Sequence, residues 1–345
     1  MRGHAVVLVA NDYHDGPMRP ALRTSVLSPF LVAAVAAVAL SACSGATDVA
    51  GTGTRGGASG TAGASGEGGL QVVAAFYPLQ FVGGRVAGDR AEVTGLTAPG
   101  AEPHDLELSP QALAGLAEAD LVVVLGGFQP ALDDALDTTD APVVDLAAIA
   151  DRPVDETADE TVDEAAHEDG AGGTDPHFWT DPTLMAQAAE QVAAALSEAD
   201  PQGADTYTAN AAALVQELGS LDTEAEEAFA SCEVTTLVTA HDAFGYFAER
   251  YGFDVRPING LTPDQEPDAG TLGELSDFVR GNGITTVYTE TLVSTAVADT
   301  VAAEAGVRTA VLDPVEGLTE ESAGHDYVEV MRANIDAVRS GQACA

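Results

Sequence analysis

PQGADTYTANAAALVQELGSLDTEAEEAFA, residues Pro201–Ala230, is the stretch that decides the architecture. Tyr207, Ala211, Leu214, Leu218, Leu221, Ala225 and Phe229 recur at helical spacing, which predicts one amphipathic helix over 201–230. Pro201 suits its first turn, where a missing backbone N–H costs nothing. Thirty residues of helix would run about 45 Å, long for a soluble domain and suited to a rigid strut.

On both sides of this strut, strand and helix patterns alternate. Before it, Val72–Phe76, Glu92–Leu96, Leu121–Leu125 and Val143-Val144 read as strands. Pro110 opens a helix behind the N-cap candidate Ser109, and Thr183–Ser197 reads as a further helix. After the strut, strands are expected over Thr235–Thr239, Val255–Ile258, Thr286–Thr289 and Thr309–Leu312. Helices are expected over Ala243–Tyr251, Thr271–Asn282, Ser294–Ala305 and Asp326–Arg339. The fold class is therefore α/β: two βα lobes, over 70–200 and 231–345, joined by a single long rigid helix.

The N-terminal region carries export signals rather than a fold. Arg19 and Arg23 precede the apolar run Phe30–Leu40, which would span about 16 Å as a helix, against a hydrocarbon core of about 30 Å. That is a signal-peptide core, not a membrane span. Leu40-Ser41-Ala42-Cys43 resembles a bacterial lipobox, so Cys43 is the expected lipidation site. Residues 1–43 form the leader, with Met18 the expected true start. The Gly-, Ala-, Ser- and Thr-rich stretch 44–69 is expected to be a flexible tether.

An anchor and tether place the folded part on the outer face of the cytoplasmic membrane, in an oxidising compartment. Cys232 and Cys344 are then a candidate disulfide. The chain has 345 residues and a formal net charge of −42, which excludes nucleic acid as a partner because phosphates are repelled. The segment 151–175 concentrates that charge and is expected to be an acidic surface loop.

Three histidines stand at junctions of the pattern. His104 lies in a Pro-Gly turn after the second strand, His177 in Asp175-Pro176-His177-Phe178-Trp179, and His241 between a strand and a helix. Ligands collect at the carboxyl ends of strands in parallel sheets. Three imidazoles and a carboxylate are a donor set that zinc favours.

Gly100-Ala101-Glu102-Pro103-His104-Asp105, Asp175-Pro176-His177-Phe178-Trp179-Thr180-Asp181-Pro182 and His241-Asp242-Ala243-Phe244-Gly245-Tyr246-Phe247 together resemble the three ordered ligand motifs of the cluster A-I solute-binding proteins of metal ABC transporters, and their zinc branch in particular. The resemblance covers about Leu70 to the C-terminus. It implies two lobes bridged by a long helix, with a metal site in the cleft between them.

It also implies an extracytoplasmic, monomeric lipoprotein that captures Zn²⁺ and delivers it to an ABC permease with a cytoplasmic ATPase. The manganese branch typically carries Glu where this chain has His241, and imidazole favours zinc over manganese. Manganese or dual-metal binding is the alternative within the family. The late segment Val311–Leu318 resembles one that supplies a carboxylate, so Glu316 or Asp313 is the expected fourth ligand, with Glu316 the closer match to zinc-binding relatives. Glu290, which follows a strand, is a candidate for orienting a ligand.

Two readings from other classes are weaker. A zinc hydrolase could use the same histidines, but neither His-Glu-x-x-His nor Gly-x-Ser-x-Gly occurs, and no catalytic residue is assigned. A surface adhesin has no direct support in the sequence. Zinc capture requires neutral imidazoles, so affinity is expected to fall below about pH 6.5, the ordinary imidazole value.

Overall fold

Short β-branched runs form the central strands here: every residue of Leu121–Val124 and of Thr286–Thr289 is buried. In the computed structural model, which describes residues 69–153, 174–263 and 267–345, Leu70–Ala74 (β1), Ala91–Gly95 (β2), Leu121–Val124 (β3) and Val143–Asp145 (β4) form one parallel sheet in the order β2-β1-β3-β4. Thr236–Thr239 (β5), Asp254–Pro257 (β6), Thr286–Thr289 (β7) and Arg308–Val311 (β8) form a second, in the order β6-β5-β7-β8. The two lobes therefore repeat one doubly wound topology. In each, strand order reverses beside the first strand, which opens a crevice at the carboxyl ends.

The helices are Tyr77–Ala87 (α1), Pro110–Glu118 (α2), Pro130–Leu136 (α3), Pro182–Ala199 (α4), Ala204–Ala228 (α5), Gly245–Tyr251 (α6), Ala269–Gly281 (α7), Ala296–Ala305 (α8) and Tyr327–Gly341 (α9). Ser109 caps α2 as its position suggests, its hydroxyl accepting from Ala112 N–H at 3.1 Å. The sequence pattern does not mark α1 or α3. In α1 a Cβ on Gly83 would lie 3.1 Å from Val93 of β2. The glycine serves the close approach of helix to sheet.

The long helix is shorter than 201–230. Residues 201–203 form a turn, because the Asp200 carboxylate accepts from Gln202 N–H at 3.1 Å and its carbonyl accepts from Gly203 N–H. The remaining 25 residues of α5 still span about 37 Å. Tyr207, Ala211, Leu214, Leu218, Leu221 and Ala225 are all buried along one stripe. That stripe packs on α4, α1 and α9.

On the second lobe, Arg250 of α6 donates to Asp222 of α5 at 2.9 Å. α9 returns to the first lobe: Tyr327 stacks on Phe81 with ring centroids 5.3 Å apart, and its hydroxyl donates to the Trp179 carbonyl at 2.7 Å. A second apolar cluster, built on Val238, Val279, Val287 and Val301, fills the far side of the second sheet.

Cys232 and Cys344 are joined in a disulfide across a sequence separation of 112 residues. The bridge ties the end of α9 to the approach to β5, where buried Gln342 also donates to the Thr236 carbonyl at 2.8 Å. Opening a loop of this length should cost about 2–5 kcal/mol. Urea unfolding of the Cys232→Ser/Cys344→Ser pair, against the oxidised chain, measures it; equal stabilities would contradict the expectation.

The leader 1–43 with Cys43, the tether 44–69 apart from Gly69, and the acidic loop 151–175 apart from its ends at 151–153 and 174–175 lie outside the described residues. Among the described residues, no helix is long and apolar enough to cross a membrane.

Candidate metal centre

Each of the three histidines sits where a strand or turn ends at the crevice. His241 follows β5 directly, at the reversal of strand order between β5 and β7. His177 precedes a short 3-10 turn, Phe178–Thr180, that leads into α4. His104 sits in the loop between β2 and α2. This loop is pinned by Gln129, which donates to the Pro103 carbonyl at 2.8 Å, and by the Phe128 ring, edge-on to the imidazole at 4.7 Å.

Glu316 completes the group. One ligand atom from each of His104, His177, His241 and Glu316 lies within 4.8 Å of all the others. Glu316 Oε1 stands 3.3 Å from His104 Nε2, 3.2 Å from His177 Nε2 and 3.6 Å from His241 Nε2. The Nε2 atoms of His104 and His177 are 3.4 Å apart. A tetrahedron with metal–ligand bonds of about 2.0–2.1 Å has edges of about 3.3 Å, so the spacing matches the ion the donors would suit. His241 Nε2 and Glu316 Oε2 are buried without a hydrogen-bond partner, as atoms reserved for an ion would be.

The far sides of two imidazoles are anchored. His177 Nδ1 is 2.8 Å from Asp175 Oδ1, which also accepts from the His177 backbone N–H. His241 Nδ1 is 2.7 Å from Glu290 Oε1, which likewise accepts from the His241 backbone N–H at 3.1 Å. These carboxylates fix the rings so that Nε2 points at the centre. Glu290 thus takes the orienting position considered for it, while Asp175 carries a role its motif does not announce.

Asp175 is itself held by Arg152 at 3.0 Å, and Tyr246 donates to its carbonyl at 3.2 Å. Gly245 leaves room for this clamp: a Cβ there would collide with Arg152 and Asp175.

Asp313 stands apart from the four converging atoms. Its Oδ1 accepts from Val315 N–H at 2.8 Å and its Oδ2 from the Thr291 hydroxyl at 2.9 Å. Asn334 of α9 grips its main chain on both sides. The result is a turn in which Val315 has φ +62°. That is a strained conformation for a β-branched residue, and it turns Glu316 into the crevice. Trp179 donates to the Pro314 carbonyl at 2.8 Å and steadies the same turn. Asp313→Asn preserves an acceptor for Val315 and a partner for Thr291, so zinc affinity in a competition titration should stay within about threefold of wild type. A larger loss would make Asp313 a ligand.

Burial opposes charge at all four groups, yet the outcome differs. For Glu316, three imidazoles outweigh burial and hold the carboxyl well below its ordinary value. Burial likewise opposes the charged forms of His177 and His241. The Asp175 and Glu316 carboxylates raise His177 nonetheless, and Glu290 with Glu316 raises His241 well above the ordinary imidazole value. At His104 burial prevails and lowers it. Burial and the Glu316 charge push nearby Glu102 up to about 8.

The match of residues 72–341 to the model of the zinc-uptake complex component A periplasmic family, ZnuA, decides the relationship. The chain belongs to this family. It is 35% identical over 283 residues to the zinc-binding lipoprotein AdcA of Streptococcus pneumoniae, covering 79% of this chain and 56% of that one. It is 32% identical over 276 residues to the high-affinity zinc uptake system protein ZnuA of Bacillus subtilis, covering 78% and 86%. The chain thus spans little more than half the length of its AdcA relatives.

Zn(II)-bound AdcA from Streptococcus pneumoniae has the same fold, with a TM-score of 0.68 and 34% identity over 80% of this chain and 58% of that one. A laminin-binding protein of Streptococcus agalactiae, described as a bifunctional adhesin and metal transporter, aligns with a TM-score of 0.68 and 29% identity, over 79% of this chain and all of that one.

Proposed function

We propose that this ZnuA-family chain captures Zn²⁺ outside the cytoplasmic membrane, holds it between its lobes and delivers it to an ABC permease driven by a cytoplasmic ATPase. The observation that carries the reading is the convergence of three imidazoles and one carboxylate at tetrahedral spacing. His104, His177, His241 and Glu316 are the ligands. Asp175 and Glu290 orient two of them.

The donor set favours zinc over manganese, since three of four positions are imidazole. In this reading the lobes occupy 70–200 and 231–345, and the connecting segment 201–230 contains α5. The chain acts as a monomer, anchored through lipidated Cys43 and the tether 44–69. The ion is cargo and undergoes no reaction.

Zinc that binds only the folded state must stabilise it. At a free concentration of a thousand times the dissociation constant the gain is about 4.1 kcal/mol, which for a chain of this size raises the melting temperature by roughly 8–16 °C. Thermal unfolding of the metal-free chain with and without zinc tests this, with manganese expected to give the smaller shift. An unchanged melting temperature with zinc would overturn the proposal.

A further inference from the structure

Glu102 neighbours the ligand set and has no part in it. Glu102 lies two residues before His104, and its Oε1 accepts from the His104 backbone N–H at 3.3 Å. The same oxygen stands 4.0 Å from His104 Nε2. Its Oε2 is buried with no hydrogen-bond partner, a costly state unless another species uses the oxygen. The two other unpartnered atoms at this centre, His241 Nε2 and Glu316 Oε2, belong to the proposed ligands.

Exposure orders the five side chains. Glu102 is 14% exposed and His104 7%, whereas Glu316 is at 1% and His177 and His241 at 0%. An ion arriving from solvent therefore meets Glu102 and His104 first. With bonds of about 2.0–2.1 Å, one tetrahedral zinc ion holds two donors about 3.3 Å apart. The 4.0 Å gap between Glu102 Oε1 and His104 Nε2 closes to that span with a side-chain shift of about 0.7 Å.

We propose that Glu102 is a transient zinc ligand, which takes the ion together with His104 at the mouth of the site and hands it to His177, His241 and Glu316. The inference rests on the zinc-capture reading. On capture, the Glu102 carboxyl gives any proton it holds to solvent as its Zn–O bond forms; in the transfer, that bond breaks as the Zn–O bond to Glu316 forms. One carboxylate replaces another, so the dication keeps a compensating charge while it sheds water in a low-dielectric crevice. His104 holds the ion throughout.

A ligand present in neither the free nor the final bound state changes the barrier and not the equilibrium. Stopped-flow mixing of the metal-free chain with Zn²⁺, paired with release into a chelator, separates the two. Glu102→Gln should slow association and dissociation alike by about tenfold while the dissociation constant stays within about threefold. Glu102→Asp, which keeps a carboxyl, should recover part of both rates. Glu107→Gln, which removes an exposed charge three residues beyond His104, should leave both within about twofold, separating a direct ligand from general electrostatic steering.

Association of the Gln variant at the wild-type rate would overturn the proposal. So would faster dissociation with association unchanged, which would make Glu102 a permanent ligand or a support for His104. If Glu102→Gln does not fold by circular dichroism, the Asp variant carries the test: its shorter carboxylate should slow both rates, and unaltered rates would overturn the proposal. Wild-type chain that binds no zinc would instead sink the capture reading on which this one stands.

Discussion

His241→Ala should weaken zinc binding by about 10²–10³-fold, since four-ligand zinc sites bind with about 10–16 kcal/mol in all and each donor carries a share of it. His241 is the sharpest position to cut. Its ring is fully buried, its Nε2 has no hydrogen-bond partner, and its Nδ1 is gripped by Glu290. Removal leaves Glu290 buried beside an empty space, so metal-free stability should also fall, by about 1–3 kcal/mol. The affinity is therefore measured by competition with a chromogenic chelator well below the melting temperature of the variant. A loss of less than about tenfold would mean that the ion does not use this imidazole. A comparable loss is expected for His177→Ala, whose ring is equally buried and is held by Asp175.

Zinc affinity should climb steeply with pH, and the climb should continue above about 6.5, the ordinary imidazole value. The sign follows from what each Nε2 must do. A protonated imidazole has no lone pair for the metal, so any group raised in the metal-free chain must release a proton on binding. Burial opposes charge at His177 and His241, but their carboxylate partners raise both, His241 strongly. His104, lowered by burial, is already neutral in the range where they titrate.

Where His177 and His241 are both charged, affinity should fall by about a hundredfold per pH unit, two protons being displaced per ion. The fall lessens as each loses its proton with rising pH. This moves the onset above the pH expected from free histidine, because the carboxylates that fix the rings also stabilise their charged forms. Competition titrations across about pH 5.5–8.5 measure the slope. An affinity flat above about 6.5 would show that the two rings titrate as ordinary histidines.

Much of this was legible in the residues. Alternating strand and helix runs around one long amphipathic stretch specify two parallel sheets and a strut, since each pattern is local. The three histidines stand out because each follows a strand or a proline turn. What escapes is what depends on packing. That Gly83 admits the close approach of β2 to α1 shows only in the packing. Glu316 and Asp313 lie three residues apart in one loop. Which of them faces the imidazoles depends on a left-handed Val315 and on the grip of Asn334 from α9. Asp175 is two residues from its histidine and Glu290 forty-nine away, yet they do the same work, and only the folded chain shows it.

The most direct measurement is a crystal structure of the zinc-loaded protein, with anomalous diffraction at the zinc edge to place the ion. The expected result is one zinc atom about 2.0–2.1 Å from Nε2 of His104, His177 and His241 and from a Glu316 oxygen, with Asp313 still bonded to Val315 and Thr291. Zinc bound elsewhere, or bound here through Asp313 with Glu316 turned away, would contradict it.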